Sequence, residues 1–243
     1  MSGQMFFITG TDTDVGKTIA TAQLLRGFVS AGQSAAGMKP VAAGCEWRDG
    51  KLWNSDVAAH ADASNVPVPA HLACPYLFEA PISPHLAARD AGQVLDLDLI
   101  VNAAKQLQTL ADVVLVEGAG GWFAPLSEEA SMADLARRLQ APVILVVGMR
   151  LGCLNHAMLS AGAILAAGLP LAGWIANQLD SEMPRYADNV QYLQTHLPAP
   201  LLAEIAHNPE AQYLALPSQT IAVLACEAGA KQTINNRRDN CRC

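Results

Sequence analysis

The stretch from Met5 to Thr18 reads MFFITGTDTDVGKT, an apolar run followed by a turn that contains Gly10 and Gly16 and closes on Lys17. Residues 19–29, which come next, have the pattern of a helix. A strand that enters such a turn and leaves it as a helix directs consecutive backbone N–H groups at one point, where the helix dipole also favours negative charge. The stretch therefore predicts a binding site for a phosphate group, and a nucleotide is the expected ligand.

The turn is a variant of the P-loop motif. The usual motif has four residues between its first glycine and Gly-Lys, whereas five residues separate Gly10 from Gly16 here. In the P-loop mechanism the lysine contacts the β and γ phosphates, and the hydroxyl that follows it ligates Mg²⁺. A glycine turn capped by an Asp or Thr side chain would explain the glycines but not Lys17 and Thr18. We therefore expect a nucleotide site that uses Mg²⁺.

The composition fits a lightly charged globular protein. Of its 243 residues, 51% are hydrophobic and 15% are charged, and the net charge is -7. No basic stripe is present to release counterions from a nucleic acid, so we expect no nucleic-acid partner. The six cysteines lack Cys-x-x-Cys and His/Cys metal spacing, which is typical of reduced thiols in a cytoplasmic protein. There is neither a signal-peptide pattern nor a run of about 18 apolar residues, so we expect no membrane partner.

Short apolar runs alternate with helical patterns and predict an α/β fold. The predicted strands cover residues 5–9, 35–41, 113–116, 143–147, 171–176 and 201–205, and the clearest helices cover 97–110, 132–139 and 155–167. Continuous apolar strands between helices imply a P-loop NTPase-like, doubly wound, mostly parallel sheet with helices on both faces. We expect a single domain over residues 1–217 and a disordered polar tail over 218–243.

Ligands of such a sheet bind at the carboxyl ends of its strands, and distinctive residues stand at two of these ends. Lys39 precedes Pro40 at the end of the second predicted strand, where a buried lysine needs an anion. Glu117 follows the third, as does the carboxylate that holds Mg²⁺ or its bound water in other P-loop proteins. The alternatives are a surface lysine and a helix-capping or solvated glutamate. Asp56, in a loop, suits a turn or an N-cap as well as a metal site.

Two later strands also end in polar residues. The segment from Gly152 to His156 has the pattern of a helix start, whose free N–H groups can hold a carboxylate or a phosphate. Within it, His156 is either a general base or, as we favour, a histidine hydrogen-bonded at the helix end. Asn177 follows the fifth predicted strand and is equally suited to a purine edge and to a simple turn.

Together these motifs resemble the dethiobiotin synthetase family, the ATP-dependent ligases of biotin biosynthesis. The resemblance runs in order from about residue 3 to residue 216, and the five-residue spacer in the P-loop is also the form found in this family. The motifs that carry it are GTDTDVGKT at 10–18, KPVA at 39–42, NSD at 54–56, EGAGGW at 117–122, GCLNHA at 152–157, GWIAN at 173–177 and PAPLL at 198–202.

The resemblance implies that 7,8-diaminononanoate and CO₂ form a carbamate, that ATP phosphorylates it, and that the neighbouring amine closes a cyclic urea with loss of phosphate. It also implies a homodimer with the site at the interface, where the helix start near residue 152 of one subunit holds the carboxylate of a substrate bound to the other.

The resemblance also assigns residue roles. Those implied in catalysis are Lys39, Lys17 and Thr13. Those implied in binding ATP and its metal are Asp14, Val15, Gly16, Lys17, Thr18, Asp56, Glu117, Gly118, Ala119, Gly120 and Asn177. Those implied in substrate binding are Lys39, Ala43, Gly152, Cys153, Leu154 and Asn155. The implied Mg²⁺ ligands are Thr18, Asp56 and Glu117.

Three positions depart from the family pattern. Ala43 stands where a hydroxyl residue is usual, which removes a hydrogen bond worth about 1 to 2 kcal/mol. Asp14 replaces the usual glutamate, and the segment after Glu204 lacks a Pro-Trp-Leu run often found near the adenine, so we expect base selectivity to be less well defined than phosphate binding.

Two other functions stay open. The first is a dimeric P-loop ATPase switch of the partitioning and cell-division type, which carries a second lysine where this chain has Thr11. The second is a related ligase that acts on a different amine.

Overall fold

The computed structural model describes residues 3–224. Its strands are β1 (Gln4–Gly10), β2 (Ala35–Met38), β3 (Val41–Ala42), β4 (Glu46–Arg48), β5 (Lys51–Trp53), β6 (Tyr76–Leu77), β7 (Val113–Gly121), β8 (Val143–Met149), β9 (Leu171–Gln178) and β10 (Leu201–Ile205). Its helices are α1 (Lys17–Ser30), α2 (Ser55–Ala63), α3 (Ala70–Ala73), α4 (Pro84–Asp90), α5 (Leu97–Leu110), α6 (Met132–Leu139), α7 (Cys153–Ala166) and α8 (Tyr186–His196), with a 3₁₀ turn at Ala211–Tyr213.

Six strands form a central sheet in the order β10-β9-β8-β1-β7-β2, and every neighbouring pair is parallel. Successive residues of β1 contribute to two separate apolar cores: Phe7 packs with residues of α5 to α8, and Phe6 and Ile8 pack with residues of α1. Because side chains alternate across a strand, both faces of the sheet are covered by helices. The predicted P-loop NTPase-like, doubly wound α/β fold is confirmed.

The second predicted strand is wrong at its carboxyl end. β2 stops at Met38, and Val41 and Ala42 pair instead with β6 in a separate two-stranded parallel sheet. Pro40 lies at the break and has no N–H to donate to a ladder. Lys39 therefore lies in the crossing between two sheets, where its own N–H donates to the carbonyl of Ala73 at 2.8 Å.

The third predicted strand is longer than residues 113–116. β7 continues through the glycines to Gly121, which pairs with Gly10 beyond an irregularity in the register. Glu117 consequently lies within a buried central strand, opposite Ile8, and not after its end. The glycines after Glu117 allow this end of β7 to pass close to the phosphate loop.

The packed chain continues beyond the predicted boundary at residue 217. Residues 218–224 are helical, with Ile221 and Leu224 buried in the core beside α1. Thr220 Oγ1 in the same segment donates to the carbonyl of Leu202 at 2.7 Å. The spacing of Ile221 and Leu224 places both on one helical face, which explains why this part packs. The remainder of the predicted tail, 225–243, lies outside the described residues. None of the helices within residues 3–224 is both long and apolar enough to cross a membrane.

Candidate active site

The phosphate loop joins β1 to α1 and is held in one shape by close packing. Gly16 caps α1 in the left-handed region, with φ of 84°, which glycine adopts at little cost. A Cβ at Gly16 would lie 2.0 Å from Asn177 Nδ2, and one at Gly10 would lie 2.5 Å from a methyl group of Val15. Asn177 Nδ2 donates to the carbonyl of Val15 at 2.9 Å. Glycine is therefore required at both positions by sterics.

Lys17 begins α1 and turns back over the loop. Its Nζ donates to the carbonyl of Asp12 at 2.9 Å, and the residue is largely buried. Burial and then the positive charge of Lys39 lower the pKa of Lys17 to about 8, although Glu117 and Asp56 act in the opposite direction. A lysine that is poorly solvated and close to another cation gains more from an incoming phosphate than an exposed lysine would.

Lys39 bridges the two carboxylates predicted to bind metal. Its Nζ donates to Asp56 Oδ2 and to Glu117 Oε1, each at 2.6 Å. Asn54 caps α2, its side chain accepting from the N–H groups of Asp56 and Val57, and so fixes the first turn that carries Asp56. Burial alone would lower the pKa of Lys39, but the negative charges of Glu117 and Asp56 outweigh it and raise the pKa.

Glu117 is fully buried and uses both carboxylate oxygens. Oε1 accepts from Thr18 Oγ1 at 3.0 Å as well as from Lys39, while Oε2 lies 2.7 Å from His60 Nε2. Burial alone would raise the pKa of Glu117, but Lys39 and His60 outweigh it and hold the pKa well below its usual range. Glu117 is therefore an anion at the centre of the site at any neutral pH.

His60 is a site residue that the sequence reasoning missed. It lies on α2, four residues after Asp56, and this spacing places both on one helical face. The four-residue spacing from Asp56 was the only signal in the sequence that pointed to His60. A single histidine in an Ala-rich helix does not by itself indicate a role in a binding site. His60 is 2% exposed and its Nε2 reaches the carboxylate from the side opposite to Lys39 and Thr18.

Lys17, Lys39 and the carboxylates of Asp56 and Glu117 line a cavity of about 990 Å³ at the carboxyl edge of the sheet, whereas His60 lies behind Glu117 and outside the cavity wall. The predicted site residues in its wall are Thr13, Asp14, Gly16, Lys17, Thr18, Lys39, Ala43, Asp56, Glu117, Ala119 and Gly120. A groove of about 1210 Å³ beside α5 and α6 is larger and is lined by Arg137 and Arg138, which pair with Asp134 and Asp98. It does not border the phosphate loop, so the smaller cavity, which combines loop residues with Lys17 and Lys39, is the better candidate.

Seven predicted residues do not line this cavity. Val15 is buried under the loop, Asn177 donates to it from behind, and a Cβ at Gly118 would point at the ring of Phe7. The remaining four belong to the start of α7: Gly152, Cys153, Leu154 and Asn155. A purine contact by Asn177 and a substrate contact by the α7 start stay predictions.

The α7 start has the geometry expected of an anion site. Gly152 caps it with φ of 95°, and the first main-chain bond of the helix runs from the N–H of His156 to the carbonyl of Gly152. The N–H groups of Leu154 and Asn155 precede that bond and point out of the helix end. Cys153 is buried, and burial raises the pKa of its thiol. His156 is exposed.

The three residues predicted to bind Mg²⁺, which are Thr18, Asp56 and Glu117, all offer oxygen atoms. Among residues 3–224, no group of three or more His, Cys, Asp or Glu side chains is arranged to hold a metal ion. The predicted set consists of two carboxylates and the hydroxyl of Thr18, so phosphate oxygens and water would have to complete it. Mg²⁺ binds in this way, through one or two carboxylates together with substrate phosphates.

A family model described as an AAA domain matches residues 4–213. The ATP-dependent dethiobiotin synthetase BioD of Xanthomonas oryzae pv. oryzae (strain PXO99A) is 47% identical over 213 residues, which are 87% of this chain and 95% of the relative. BioD 1 of Salmonella typhi is 47% identical over 82% of this chain and 88% of its own length. The corresponding enzyme of Janthinobacterium sp. (strain Marseille) is 49% identical, with coverage of 81% and 85%.

Solved structures share the fold at low identity. MinD of Aquifex aeolicus superposes with a TM-score of 0.56 at 15% identity, covering 94% of this chain and 98% of its own. A ParA family ATPase of Chlorobium tepidum gives a TM-score of 0.52 at 12% identity, with coverage of 87% and 88%. These likenesses establish the fold, whereas the sequence relatives establish the family. The chain belongs to the ATP-dependent dethiobiotin synthetase family, whose members are ligases that form a carbon–nitrogen bond.

Proposed function

We propose that this chain uses ATP and Mg²⁺ to close a cyclic urea from 7,8-diaminononanoate and CO₂, giving dethiobiotin, ADP and phosphate. The observation that carries the proposal is the position of Lys39, buried between Asp56 and Glu117 in the same cavity as Lys17 and the phosphate loop. A cation held there lies where a carbamate oxygen and a transferring phosphoryl group would meet.

The phosphate loop binds ATP in this proposal. The amides between Thr13 and Thr18 and the start of α1 surround the phosphates, and Lys17 exchanges the carbonyl of Asp12 for the β and γ phosphates. Ala119 and Gly120 line the cavity without bulky side chains, which lets the nucleotide or the substrate approach the backbone of β7. Asn177, with its amide nitrogen on the loop, offers its remaining oxygen to the base.

Thr18, Asp56 and Glu117 would hold Mg²⁺. The fit rests on the chemistry of the donors: two carboxylates and a hydroxyl suit a hard cation, and Glu117 stays ionised at neutral pH. When bound, the ion neutralises charge on the phosphates. Lys39 gives up a carboxylate contact as it turns to the carbamate.

Positioning and charge stabilisation suffice for this chemistry. Phosphorylation of a carbamate concentrates negative charge, which Lys39 and Lys17 offset in a poorly solvated site. The amine that closes the ring belongs to the substrate, so no side-chain nucleophile is needed. Ala43 contributes only a methyl group to the cavity wall.

A homodimer would supply the remaining substrate contact. The α7 start presents free N–H groups but does not line the cavity of its own subunit. Leu151 beside it is fully exposed, and Leu159, one to two turns along α7, is 65% exposed. Apolar side chains in such a position favour contact with a second protein surface. We infer that a partner subunit's cavity faces this helix start, which would hold the substrate carboxylate.

The test is direct product analysis. Purified protein with 7,8-diaminononanoate, ¹³C-bicarbonate, Mg²⁺ and ATP should form dethiobiotin with the label in its ureido carbon, together with one ADP per product. Omission of the diamine is the control, because a partitioning-type ATPase would hydrolyse ATP without it. Folded protein that makes no labelled product would refute the proposal. The same assay with a panel of other diamines tests the alternative of a related ligase, which would form its labelled product from one of these amines and not from 7,8-diaminononanoate.

A further inference from the structure

We propose that His60 is a positioning residue for phosphoryl transfer: it fixes the orientation of the Glu117 carboxylate so that one oxygen faces Thr18 and Lys39. The inference rests on the proposed function, since it assigns a supporting role in the same site. It concerns a residue outside the motifs that link this chain to its family.

The two oxygens of Glu117 have separate partners. Oε1 accepts from Thr18 Oγ1 at 3.0 Å and from Lys39 Nζ at 2.6 Å, on the cavity side. Oε2 lies 2.7 Å from His60 Nε2. Because an ionised carboxylate can only accept, Nε2 carries the proton and donates. A glutamate held at both oxygens cannot rotate about its last bond without breaking a buried charge-assisted hydrogen bond.

The surroundings of His60 point to this single contact. The residue is 2% exposed, and its Nδ1 has no hydrogen-bond partner among residues 3–224. Burying an imidazole with an unsatisfied nitrogen costs free energy, so an apolar side chain would serve packing better. The compensating interaction of the ring is the bond to Glu117.

The backbone around His60 makes room for the ring and holds it in place. A Cβ at Gly37 on the neighbouring β2 would lie 2.7 Å from the Cβ of His60, so the close approach of α2 to the sheet requires glycine. At the end of α2, both the N–H and the hydroxyl of Ser64 donate to the carbonyl of His60. The ring therefore projects from a fixed point toward the carboxylate.

Loss of the imidazole leaves Oε2 buried and unpaired, so Glu117 is expected to turn toward other donors and disturb Oε1. Outer partners that orient metal-binding side chains typically contribute about 10- to 100-fold in metal affinity or activity. His60→Leu removes the donor and keeps similar bulk, and a cavity of about 190 Å³ bordered by His60 and Gly37 can absorb the change in shape. His60→Gln restores an N–H at a similar reach.

The experiment compares wild type, His60→Leu and His60→Gln, with exposed His71→Leu as the matched control. Readouts are kcat and KM for the diamine, Mn²⁺ affinity in the presence of ADP by electron paramagnetic resonance, and the midpoint of thermal unfolding. We expect His60→Leu to lower kcat and Mn²⁺ affinity by about 10- to 100-fold with unchanged KM, and His60→Gln to recover most of both.

Folded His60→Leu with wild-type kcat and Mn²⁺ affinity would overturn the inference. So would an equal loss in His60→Gln, because that result makes the residue structural and not a donor. Wild-type protein that binds Mn²⁺ and ADP but forms no product would refute the proposed function alone, and the Mn²⁺ comparison would still decide the role of His60.

Discussion

Replacing Lys39 with glutamine separates the electrostatic role of this residue from nucleotide binding. The side chains of Lys39 and Glu117 are 7% and 0% exposed, and their charged atoms are 2.6 Å apart. Removing one partner of such a pair leaves an uncompensated buried charge, at about 3–5 kcal/mol of unfolding free energy. We expect Lys39→Gln near the lower end, because Glu117 keeps Thr18 and His60 as donors.

The same variant should lose turnover while it keeps the nucleotide. Lys17 and the loop amides remain, so ADP affinity changes little. A fixed donor aimed at developing charge is worth about 10²–10³-fold in kcat, and we expect a loss of that size. A cost of about 3 kcal/mol lowers the unfolding midpoint by about 6–12 °C in a chain of this length. Calorimetric unfolding, ADP titration and dethiobiotin formation measure the three quantities, with exposed Lys105→Gln as the control.

The dependence on pH has a defined sign. The pKa of Glu117 is depressed, so its share of the stability is fully present above the unfolded value of about 4.3 and is lost as the pH falls below it. The pKa of Lys39 is raised, so its share is fully present below about 10.4 and is lost only at higher pH. The midpoint difference between wild type and Lys39→Gln should thus be constant from about pH 5 to 7 and shrink in acid. Above that range Lys17 also titrates differently in the two proteins, because burial and then Lys39 lower its pKa to about 8. A variant as stable and as active as wild type would refute the reasoning.

Three further predictions follow from local geometry. Gly16→Ala should abolish ADP binding, measured by titration, because its Cβ would meet Asn177 at 2.0 Å, whereas Gly50→Ala, with similar φ but open space, should bind normally. Ala43→Ser should raise kcat/KM by about fivefold if the added hydroxyl regains a substrate hydrogen bond worth about 1 kcal/mol; unchanged kinetics would show that this wall does not touch the substrate. Leu159→Glu should yield monomers in light scattering and a higher KM, whereas the half-exposed Leu110→Glu should not.

Much of the fold could be read from the sequence because apolar runs and helix caps are local signals. The bounds of α5, α6 and β10 were predicted without error, and each begins after a residue that typically precedes such an element: Asp96 caps α5, Ser131 precedes α6 and Pro200 precedes β10. The end of β2 was missed because the apolar run continues past Met38, whereas Pro40 has no N–H to donate to the hydrogen-bond ladder of the sheet. The segment 218–224 was missed because its apolar run, residues 221–224, is too short to show a helical period and stands shortly before a polar stretch.

The site divides along the same line. Lys17, Thr18 and Glu117 could be proposed as site residues because a motif or a strand places them, and the strand-end rule indicated Lys39. The way Lys39 bridges two carboxylates depends on three separate elements meeting, which no short window of sequence contains. His60 lies outside every motif, and its role depends on which strand α2 packs against.

The bond from Asn177 to the carbonyl of Val15 joins residues 162 positions apart. The sequence of the phosphate loop ends at residue 18, whereas Asn177, whose side chain hydrogen-bonds to the loop, lies on β9. A nascent chain or a truncated fragment that ends before β9 therefore contains the P-loop sequence but lacks the hydrogen bond from Asn177 that holds the loop in shape. Nucleotide then binds to and stabilises only a nearly finished sheet, so ATP reports on the completion of folding as well as serving as co-substrate.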